Sequence, residues 1–332
     1  MNTQTSRLQD LVQVLDKKRP VVIQVHDFPD HDAVAAGFAL SRLLENRDFS
    51  ASLCYSGRIQ SASLEEAVET FNIPLVPSTS LAINQNTQII LVDGFIGNKN
   101  VTELEGSVVG LIDHHNPPEK PECPFFDIRP HYGSCSTMVY EYFQESGDEL
   151  SIEVATSLLM GLMMDTAFMT RGVTEHDMKA FSELFFLGDW ERGSRMLKNS
   201  LSLIDLGVFR EAINSCEVAG DFAFVPIQKE CSPEVTALTA DFFLGLREIR
   251  FVVVLVPDRE EYRISVRSED LERPSDVIIR KALRGIGYGG GHVHMGGGNI
   301  PRDLFPGQQT LRNRFLVALG MEEKEASGST SE

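Results

Sequence analysis

The chain has little positive charge and no cysteine pattern typical of secreted proteins or zinc sites. Its 332 residues include 30 lysines and arginines against 48 aspartates and glutamates, a net charge of −18. Because nonspecific nucleic-acid binding needs cations that neutralise phosphates, this balance argues against a protein that coats long duplexes. The five cysteines form no C-x-x-C pair and no regular spacing, so we expect reduced thiols in a cytoplasmic protein and no structural zinc site.

Long hydrophobic runs are also absent. No apolar run reaches the roughly 18 to 20 residues that a membrane span needs, and the polar N-terminus has no signal-peptide core. Hydrophobic residues make up 42% and charged residues 23% of the chain, as in globular proteins. We expect no membrane partner. A homodimer stays open, because the apolar helix predicted at 152–164 fits either a core or an interface.

Short apolar runs alternate with helical segments along the first half of the chain. Residues 20–26, 87–92 and 107–112 are continuous apolar runs that predict buried strands. Residues 32–47 have a helical period, and residues 63–71 predict a helix that Ser63 caps. This alternation is typical of an α/β fold, with a parallel sheet covered on both faces.

The order of the predicted elements indicates two domains. We predict a doubly wound, mostly parallel α/β domain and, after a charged helical stretch, a smaller α/β domain with a mixed sheet and a glycine-rich loop. The predicted bounds are 1–192 for the first domain, 193–214 for a helical linker, 215–320 for the second domain and 321–332 for a disordered tail.

Acidic and histidine side chains follow three of the predicted strands. They are His26, Asp30 and Asp32 after the first strand, Asp93 after the second, and Asp113, His114 and His115 after the third. Since the carboxyl ends of parallel strands share one edge of a sheet, we expect these side chains to lie together, joined by Asp165 from the end of an apolar helix. So many carboxylates in one cleft would repel each other unless a cation neutralised them. Mixed oxygen and nitrogen donors suit Mn²⁺, Fe²⁺, Zn²⁺ or Mg²⁺.

Simpler explanations exist for single residues of this group. Asp93 precedes a glycine and fits a turn, Asp32 fits a helix N-cap, and Asp165 fits an isolated cap. These explanations do not account for the three histidines in the same pattern.

The same segments resemble the motifs of the DHH phosphoesterase superfamily. Its four metal-binding motifs are similar to HDFPDHDA (26–33), LVDG (91–94), IDHHNP (112–117) and GLMMDT (161–166), and its serine/threonine segment is similar to GSCSTMVYEYF (133–143). Further along, ISVRSE (264–269) and GGGHVHMGGG (289–298) resemble the arginine–serine strand and GGGH loop of the DHH-associated C-terminal domain. The motifs occur in the family's order over about residues 20–300.

This resemblance implies two divalent metal ions, Mn²⁺ foremost, with Mg²⁺, Fe²⁺ or Zn²⁺ as alternatives. One ion would be held by His26, Asp30 and Asp93, and the second by Asp32, Asp93, His114 and Asp165, with Asp93 as the bridge. The implied catalytic residues are Asp93, His114, His115 and Asp113. Among them, His115 would lie near the substrate phosphate and Asp113 would orient the histidines.

The resemblance also implies a substrate site in the cleft between the two domains. The implied substrate contacts are His115, Ser136, Arg267, Ser268, Gly290, Gly291 and His292. A guanidinium such as that of Arg267 can hold a phosphate with two parallel hydrogen bonds, which a lysine cannot match. Glycines in the loop permit close approach of the backbone to an anion.

Within the superfamily, the chain resembles the nanoRNase and pAp-phosphatase branch. This branch implies hydrolysis of short oligoribonucleotides, or of nucleotide phosphomonoesters such as pAp, by a water that two metal ions activate. The partner would be short RNA or a nucleotide. Alternatives are a cyclic or linear dinucleotide phosphodiesterase, an exopolyphosphatase or pyrophosphatase, and a nucleotide sensor without catalysis.

Three residues depart from the family pattern or add to it. His31 occupies a position where the family usually has a small residue, and it fits a substrate contact, an extra ligand or an outward-facing group. Ala167 stands where glycine or asparagine is common, and His294 adds an imidazole to the C-terminal loop. These positions bear on substrate identity more than on the metal site.

Overall fold

The computed structural model describes residues 7–117, 121–198 and 201–321. The chain divides into two compact units, Met1–Ser200 and Leu201–Glu332. The predicted linker at 193–214 is therefore shared between the units, and the predicted tail lies outside the described residues except for Met321. Within the described ranges, no helix has the length and apolar character to cross a membrane.

The N-terminal unit contains a six-stranded parallel sheet. Its strands are β1 (Val21–Gln24), β2 (Ala51–Tyr55), β3 (Leu75–Pro77), β4 (Gln88–Val92), β5 (Ser107–Asp113) and β6 (Phe125–Ile128). The spatial order is β3-β2-β1-β4-β5-β6, and every neighbouring pair is parallel. The order reverses between β1 and β4, and open α/β sheets bind ligands at such a switch point.

Seven helices of this unit pack around the sheet. They are α1 (Arg7–Val14), α2 (His31–Glu45), α3 (Ala62–Thr70), α4 (Cys135–Ser146), α5 (Ile152–Asp165), α6 (Glu175–Leu187) and α7 (Trp190–Lys198). Ser61 caps α3 by accepting a hydrogen bond from the Leu64 amide, so the prediction of Ser63 as the cap was wrong by two residues. Asp30, and not Asp32, is the N-cap of α2.

Alternate residues of the central strands enter two apolar clusters. Ile90 and Val92 of β4 belong to the large core that also contains α2, α4 and α5. Ile89 and Leu91 belong to a smaller cluster with Val101 and its loop. This period of two is expected when both faces of a strand are buried.

The C-terminal unit contains a second six-stranded sheet, which is mixed. Its strands are β7 (Glu217–Ala219), β8 (Phe222–Pro226), β9 (Phe251–Asp258), β10 (Glu261–Ser268), β11 (Tyr288–Gly291) and β12 (Met295–Pro301), and its helices are α8 (Leu206–Ser215), α9 (Pro233–Leu244), α10 (Ser275–Leu283) and α11 (Gln308–Ala318). The order is β11-β12-β10-β9-β8-β7, in which β8 and β9 are parallel and the other pairs antiparallel.

The glycine-rich segment is a β-hairpin, whereas the sequence predicted a loop. Strands β11 and β12 pair from Tyr288 with Asn299 to Gly291 with Gly296. A Cβ on Gly298 would lie 2.7 Å from Cδ1 of Leu283 in α10. The hairpin can therefore lie close against α10 only because that position has no side chain.

Candidate active site

The carboxyl ends of β1, β4 and β5 bring acids and histidines to one edge of the parallel sheet. His26 follows β1, Asp93 follows β4, and His114 follows β5. Nε2 of His26 lies 3.7 Å from Oδ2 of Asp93, and Nε2 of His114 lies 3.6 Å from Oδ1 of Asp93. The two oxygens of this buried carboxylate therefore face two different donor groups, as a carboxylate that bridges two cations must.

Asp93 reaches this position through an uncommon backbone conformation. Its φ angle is +58°, a left-handed value that is sparsely populated by residues other than glycine, asparagine and aspartate. The Asp93 amide still donates to the carbonyl of Ile112 at 2.9 Å, which ties the turn to β5. Strain of this kind collects at functional sites, where the surrounding structure holds it in place.

The first donor group consists of His26, Asp30 and Asp93. One ligand atom from each residue lies within 4.8 Å of the others, and Oδ2 of Asp30 is 3.7 Å from Nε2 of His26. The other oxygen of Asp30 caps α2 by accepting from the Ala33 amide at 3.0 Å. The helix start thus fixes the carboxylate while leaving Oδ2 directed at the histidine.

The second donor group contains Asp32, which the start of α4 holds in place. The backbone amides of Cys135 and Ser136 donate to its two carboxylate oxygens at 2.7 and 2.8 Å. A helix N-terminus favours a negative charge of this kind. A Cβ on Gly161 of α5 would lie 2.3 Å from Oγ of Ser136 and 2.9 Å from Cα of Asp32, so only glycine permits the three segments to meet.

His114 completes the second group together with Asp165. Its Nε2 lies 3.1 Å from Oδ2 of Asp165, and its Nδ1 lies 3.2 Å from the carbonyl oxygen of Tyr132. A carbonyl can only accept, so this contact places a proton on Nδ1 and turns Nε2 towards the carboxylates, so that the neutral ring carries its lone pair on Nε2. That is the tautomer a metal-ligating histidine requires.

His115 is oriented by Asp113. Oδ1 of Asp113 accepts a hydrogen bond from the backbone amide of His115 at 2.9 Å. The same oxygen lies 2.8 Å from Nδ1 of the His115 ring. The Asp113 side chain is buried, whereas that of His115 is 38% exposed. The imidazole of His115 and the carboxylate of Asp30, whose side chain is 51% exposed, are therefore groups of this edge that a ligand can approach from solvent.

The crowded charges shift the pKa values strongly. Burial lowers the pKa of His26, but the carboxylates of Asp30, Asp93 and Asp165 outweigh it and raise the pKa to about 9. Burial and the charge of Asp30 raise the pKa of Asp93 to about 6. Burial, with the charges of Asp165 and Asp93, raises the pKa of Asp32 well above its usual range. Without cations, protons therefore occupy this cluster to reduce the repulsion.

The donor set fits divalent cations. Nitrogen and oxygen donors that share a cation at about 2.1 Å, with angles of 90 to 110°, lie about 3.0 to 3.4 Å apart. The observed separations of 3.1 to 3.7 Å among His26, Asp93, His114 and Asp165 lie near this range. Two of these three separations exceed hydrogen-bonding distance. The donor atoms of each group therefore face a shared space more than they bond one another. Small movements would let a cation occupy each group.

His31 contacts the start of α3. It is buried, and its Nε2 lies 3.3 Å from Oγ of Ser63 at the start of α3. It also lines a small cavity of about 10 Å³ with Leu64, Ala67 and Met160. Burial lowers the pKa of His31 to about 4. The sequence left three roles open for His31. Its contacts favour none of them beside the candidate metal ligands, and they place His31 in the packing between α2 and α3.

The predicted substrate contacts occur in both units. In the N-terminal unit, the Ser136 side chain is fully buried and makes no hydrogen bond within the described ranges. In the C-terminal unit, Nε of Arg267 donates to Oδ1 of Asp241 at 2.7 Å, and the hydroxyl of Ser268 donates to the carbonyls of Asp270 and Arg273. These side chains have protein partners or are buried, and their contact with a substrate stays a prediction.

The glycine-rich hairpin places the remaining predicted contacts. Gly290 and Gly291 lie in β11, and His292 begins the turn that follows, with its amide donating to the Met295 carbonyl at 2.7 Å. Nδ1 of His294 lies 3.0 Å from the carbonyl oxygen of Ser268. Nothing lies within 4 Å of a Cβ placed on Gly290, so this glycine leaves open space above the strand.

Sequence reasoning missed two residues that shape the site. Cys135 shares a cluster of ligand atoms with Asp32, Asp93 and His114, all within 4.8 Å of one another. Asp177 of α6 is fully buried and accepts hydrogen bonds from the Gly133 amide and the hydroxyl of Thr137, on either side of Cys135. The only available signal was the position of Cys135 in the GSCST segment, since no spacing relates Asp177 to the metal motifs.

Comparisons with known proteins support the assignment of these motifs. Residues 20–162 match the model of the DHH family, N-terminal domain. The chain is 25% identical over 322 residues to an uncharacterized protein of Methanocaldococcus jannaschii, covering 93% of this chain and 66% of the relative. It is 28% identical over 192 residues to a probable manganese-dependent inorganic pyrophosphatase of Staphylococcus aureus, covering 55% of this chain and 61% of the relative.

A solved structure has the same fold. The crystal structure of an exopolyphosphatase-related protein from Bacteroides fragilis superimposes with a TM-score of 0.79 and 20% sequence identity, over 96% of this chain and 98% of that one. The likeness confirms the predicted α/β fold class, with a parallel sheet and a separate mixed sheet. The chain spans 66% and 61% of the length of the two curated relatives.

Proposed function

We propose that the protein is a metal-dependent hydrolase of phosphate bonds, because residues 20–162 match the model of the DHH family, N-terminal domain. One observation carries the proposal. The carboxylate of Asp93 presents one oxygen to His26 and the other to His114, each within 3.7 Å. A scaffold without a ligand would have no use for so many mutually repelling groups at one edge.

The residues would hold two divalent cations, with Mn²⁺ as the first choice. His26, Asp30 and Asp93 would hold one, and Asp32, Asp93, His114 and Asp165 the other. Such a pair supplies a water of lowered pKa and neutralises charge on the phosphoryl oxygens. The S. aureus relative is named as a probable manganese-dependent enzyme, which supports this choice.

His115 would act on the substrate. Burial lowers the pKa of His115, but the hydrogen bond to Asp113 and the charge of Asp93 raise it above the usual value. The charged imidazole keeps one proton on Nδ1 towards Asp113 and can donate the other from Nε2 to a phosphoryl or leaving-group oxygen. Asp113 would act by holding the ring in that orientation.

For the substrate, we propose short oligoribonucleotides or nucleotide phosphomonoesters such as pAp. The net charge of −18 supports a short substrate over a long one, since long strands need many cationic contacts. The motifs of the C-terminal unit, including Arg267 and the glycine-rich hairpin, support recognition of a terminal phosphate.

A phosphoanhydride is the second candidate substrate. The curated S. aureus relative carries the name of an inorganic pyrophosphatase, and the same two-cation chemistry would serve either bond. The metal-binding residues cannot separate these substrates, because the ions act on the phosphoryl group that both share.

A substrate panel on protein of known metal content tests the proposal. The purified chain is stripped with EDTA, reloaded with Mn²⁺ and assayed with pAp, a diribonucleotide, pyrophosphate and polyphosphate. We expect activity to disappear on stripping, to return with Mn²⁺ and to be highest on pAp or the diribonucleotide. Highest activity on pyrophosphate or polyphosphate would select the phosphoanhydride. Full activity after complete stripping, or nucleotide binding without turnover, would refute a metal-dependent hydrolase.

A further inference from the structure

The thiol of Cys135 lies at the edge of the parallel sheet that carries the candidate metal ligands, and the sequence analysis assigned no role to it. Cys135 is the first residue of α4 and is fully buried. Its Sγ lies 3.7 Å from Oδ1 of Asp93. That oxygen is the one directed towards His114, away from His26. The sulfur therefore belongs to the second donor group and not to the first.

The start of α4 holds the sulfur in this position. The Cys135 amide donates to Oδ2 of Asp32 at 2.7 Å, so the residue is anchored to another member of the same group. The carbonyl of Ile112 lies 3.9 Å from Sγ on the β5 side. At these two distances the thiol has only weak hydrogen-bond partners in its immediate surroundings, whereas the ligand atoms of Asp32, Asp93 and His114 all lie within 4.8 Å of it.

We propose that Cys135 is a ligand of the cation held by Asp32, Asp93 and His114, which gives this position a mixed oxygen, nitrogen and sulfur donor set. The inference rests on the proposed metal site and adds a residue to it. Bonds of about 2.3 Å to sulfur and 2.1 Å to oxygen, at angles of about 90 to 120°, place the two donors about 3.1 to 3.8 Å apart. The observed separation of 3.7 Å between Sγ and Oδ1 of Asp93 lies within this range.

A sulfur ligand changes which cations the position prefers. Thiolate is a soft donor that binds Zn²⁺ and Co²⁺ well and Mg²⁺ poorly. As the metal–sulfur bond forms, the thiol proton leaves to solvent, so the ligand is the thiolate. The second position should therefore accept Mn²⁺ but bind Zn²⁺ or Co²⁺ more tightly, while the first, with His26, Asp30 and Asp93, has no sulfur.

Cobalt titration tests this arrangement and does not depend on enzymatic activity. Co²⁺ is added to the stripped full-length protein, and absorbance is followed in the visible and near ultraviolet. Visible ligand-field bands report binding at any site, whereas a near-ultraviolet sulfur-to-cobalt charge-transfer band reports only thiolate ligation. We expect both in the unmodified protein. The Cys135→Ser and Cys135→Ala variants should keep the visible bands, lose the charge-transfer band and bind Zn²⁺ at least about tenfold more weakly.

The chain offers a matched control in Cys54. This cysteine is also buried, in β2, and lies in none of the donor groups of the described residues. Cys54→Ser should leave the charge-transfer band intact, and thermal unfolding of the stripped variants checks that each is folded. Visible bands without a charge-transfer band in the unmodified protein would overturn the ligand role of Cys135 alone. Absence of all cobalt bands would overturn the metal site itself, so the two failures are distinguishable.

Discussion

Oδ2 of Asp165 lies 3.1 Å from Nε2 of His114, a contact that joins the last residue of α5 to the end of β5. Two independent elements therefore converge on one point at the switch of the parallel sheet. The Asp165 side chain is 21% exposed and that of His114 only 4%. The pair thus lies at the boundary between the buried donors and the solvent.

Removing the charge of Asp165 should empty the second metal position. We expect Asp165→Asn to bind about one Mn²⁺ per chain where the unmodified protein binds two, and to lose activity by at least about 100-fold, because the second cation stabilises the phosphoryl charge. Metal analysis after gel filtration, together with the substrate panel, checks this. Glu153→Gln, an exposed change at the other end of α5, is the control. Two bound ions in Asp165→Asn would contradict the assignment.

The parallel sheet could be predicted because its strands are unbroken apolar runs. Residues 20–26, 87–92 and 107–112 correspond to β1, β4 and β5 within a few residues, since burial on both faces leaves a strong signal. Short edge strands such as β3 and β6 lack this signal and were missed. The hairpin of β11 and β12 was missed because glycine has a low intrinsic preference for strands. The close packing of this hairpin against α10 accounts for the glycines.

The convergence of the acids and histidines could be predicted because side chains that directly follow parallel strands meet at one edge. The positions of Cys135 and Asp177 could not, because they depend on how α4 and α6 pack. Ala167 illustrates the remaining gap. The family resemblance implied only that glycine or asparagine is common at this position, whereas the structure shows the reason, a φ angle of +46°.

Ala167→Gly should relieve local strain. Three consecutive residues shortly after α5 have left-handed backbone conformations: Ala167, Phe168 and Met169. This conformation costs about 1 to 2 kcal/mol for each residue that has a Cβ. Glycine removes this cost at one position. It also raises the conformational entropy of the unfolded chain, which lowers the free energy of unfolding by about 0.4 to 1 kcal/mol. We expect a net stabilisation of up to about 1 kcal/mol in urea unfolding. Ala62→Gly at the start of α3 should destabilise instead. Equal destabilisation by both changes would contradict a strained turn.

Asp177 should act as a positioning residue for the metal site. Its buried carboxylate accepts from the Gly133 amide and the hydroxyls of Thr137 and Thr174, which fixes the segment whose amides bind Asp32. We expect Asp177→Asn to lower the free energy of unfolding by about 1 to 3 kcal/mol, because an amide NH₂ would face other donors. Metal affinity should fall by about 10- to 100-fold.

Calorimetric Mn²⁺ titration of the folded Asp177→Asn variant separates these two effects. Glu175→Gln, an exposed change two residues away on α6, should alter neither quantity. A destabilised variant with unchanged Mn²⁺ affinity would show that Asp177 supports the fold and not the site.

Metal binding should release protons, and less so at high pH. The raised pKa values of Asp93, about 6, and His26, about 9, mean that both groups hold protons near neutrality more often than in the unfolded chain. A cation must displace those protons, so apparent affinity should rise as pH increases towards 9. Calorimetry in buffers of different ionisation enthalpy measures the release. In His26→Gln, the dependence between pH 6.5 and 9 should weaken, and an unchanged dependence would contradict the assignment.

His31 should make the fold sensitive to acid. Burial lowers its pKa to about 4 from the ordinary value of 6.5, so the folded state holds the neutral ring while the unfolded chain takes up a proton below pH 6.5. The stability that His31 contributes is therefore fully present above pH 6.5 and is lost as the pH falls through 4. The change is on the order of a few kcal/mol, because the group is buried and shifted by more than two pH units.

The His31→Gln variant isolates this effect, since glutamine can still bond Ser63 but carries no titrating ring. Urea unfolding of the metal-stripped proteins at pH 7.5 and 4.5 gives the difference in stability at each pH. We expect the variant to be less stable than the unmodified protein at pH 7.5 and to lose that disadvantage, or reverse it, at pH 4.5. His131→Gln, at an exposed position, should show no such crossover. A pH-independent difference for His31→Gln would mean that the ring takes up its proton at the same pH in the folded and the unfolded chain, which would contradict a buried position of His31 between α2 and α3.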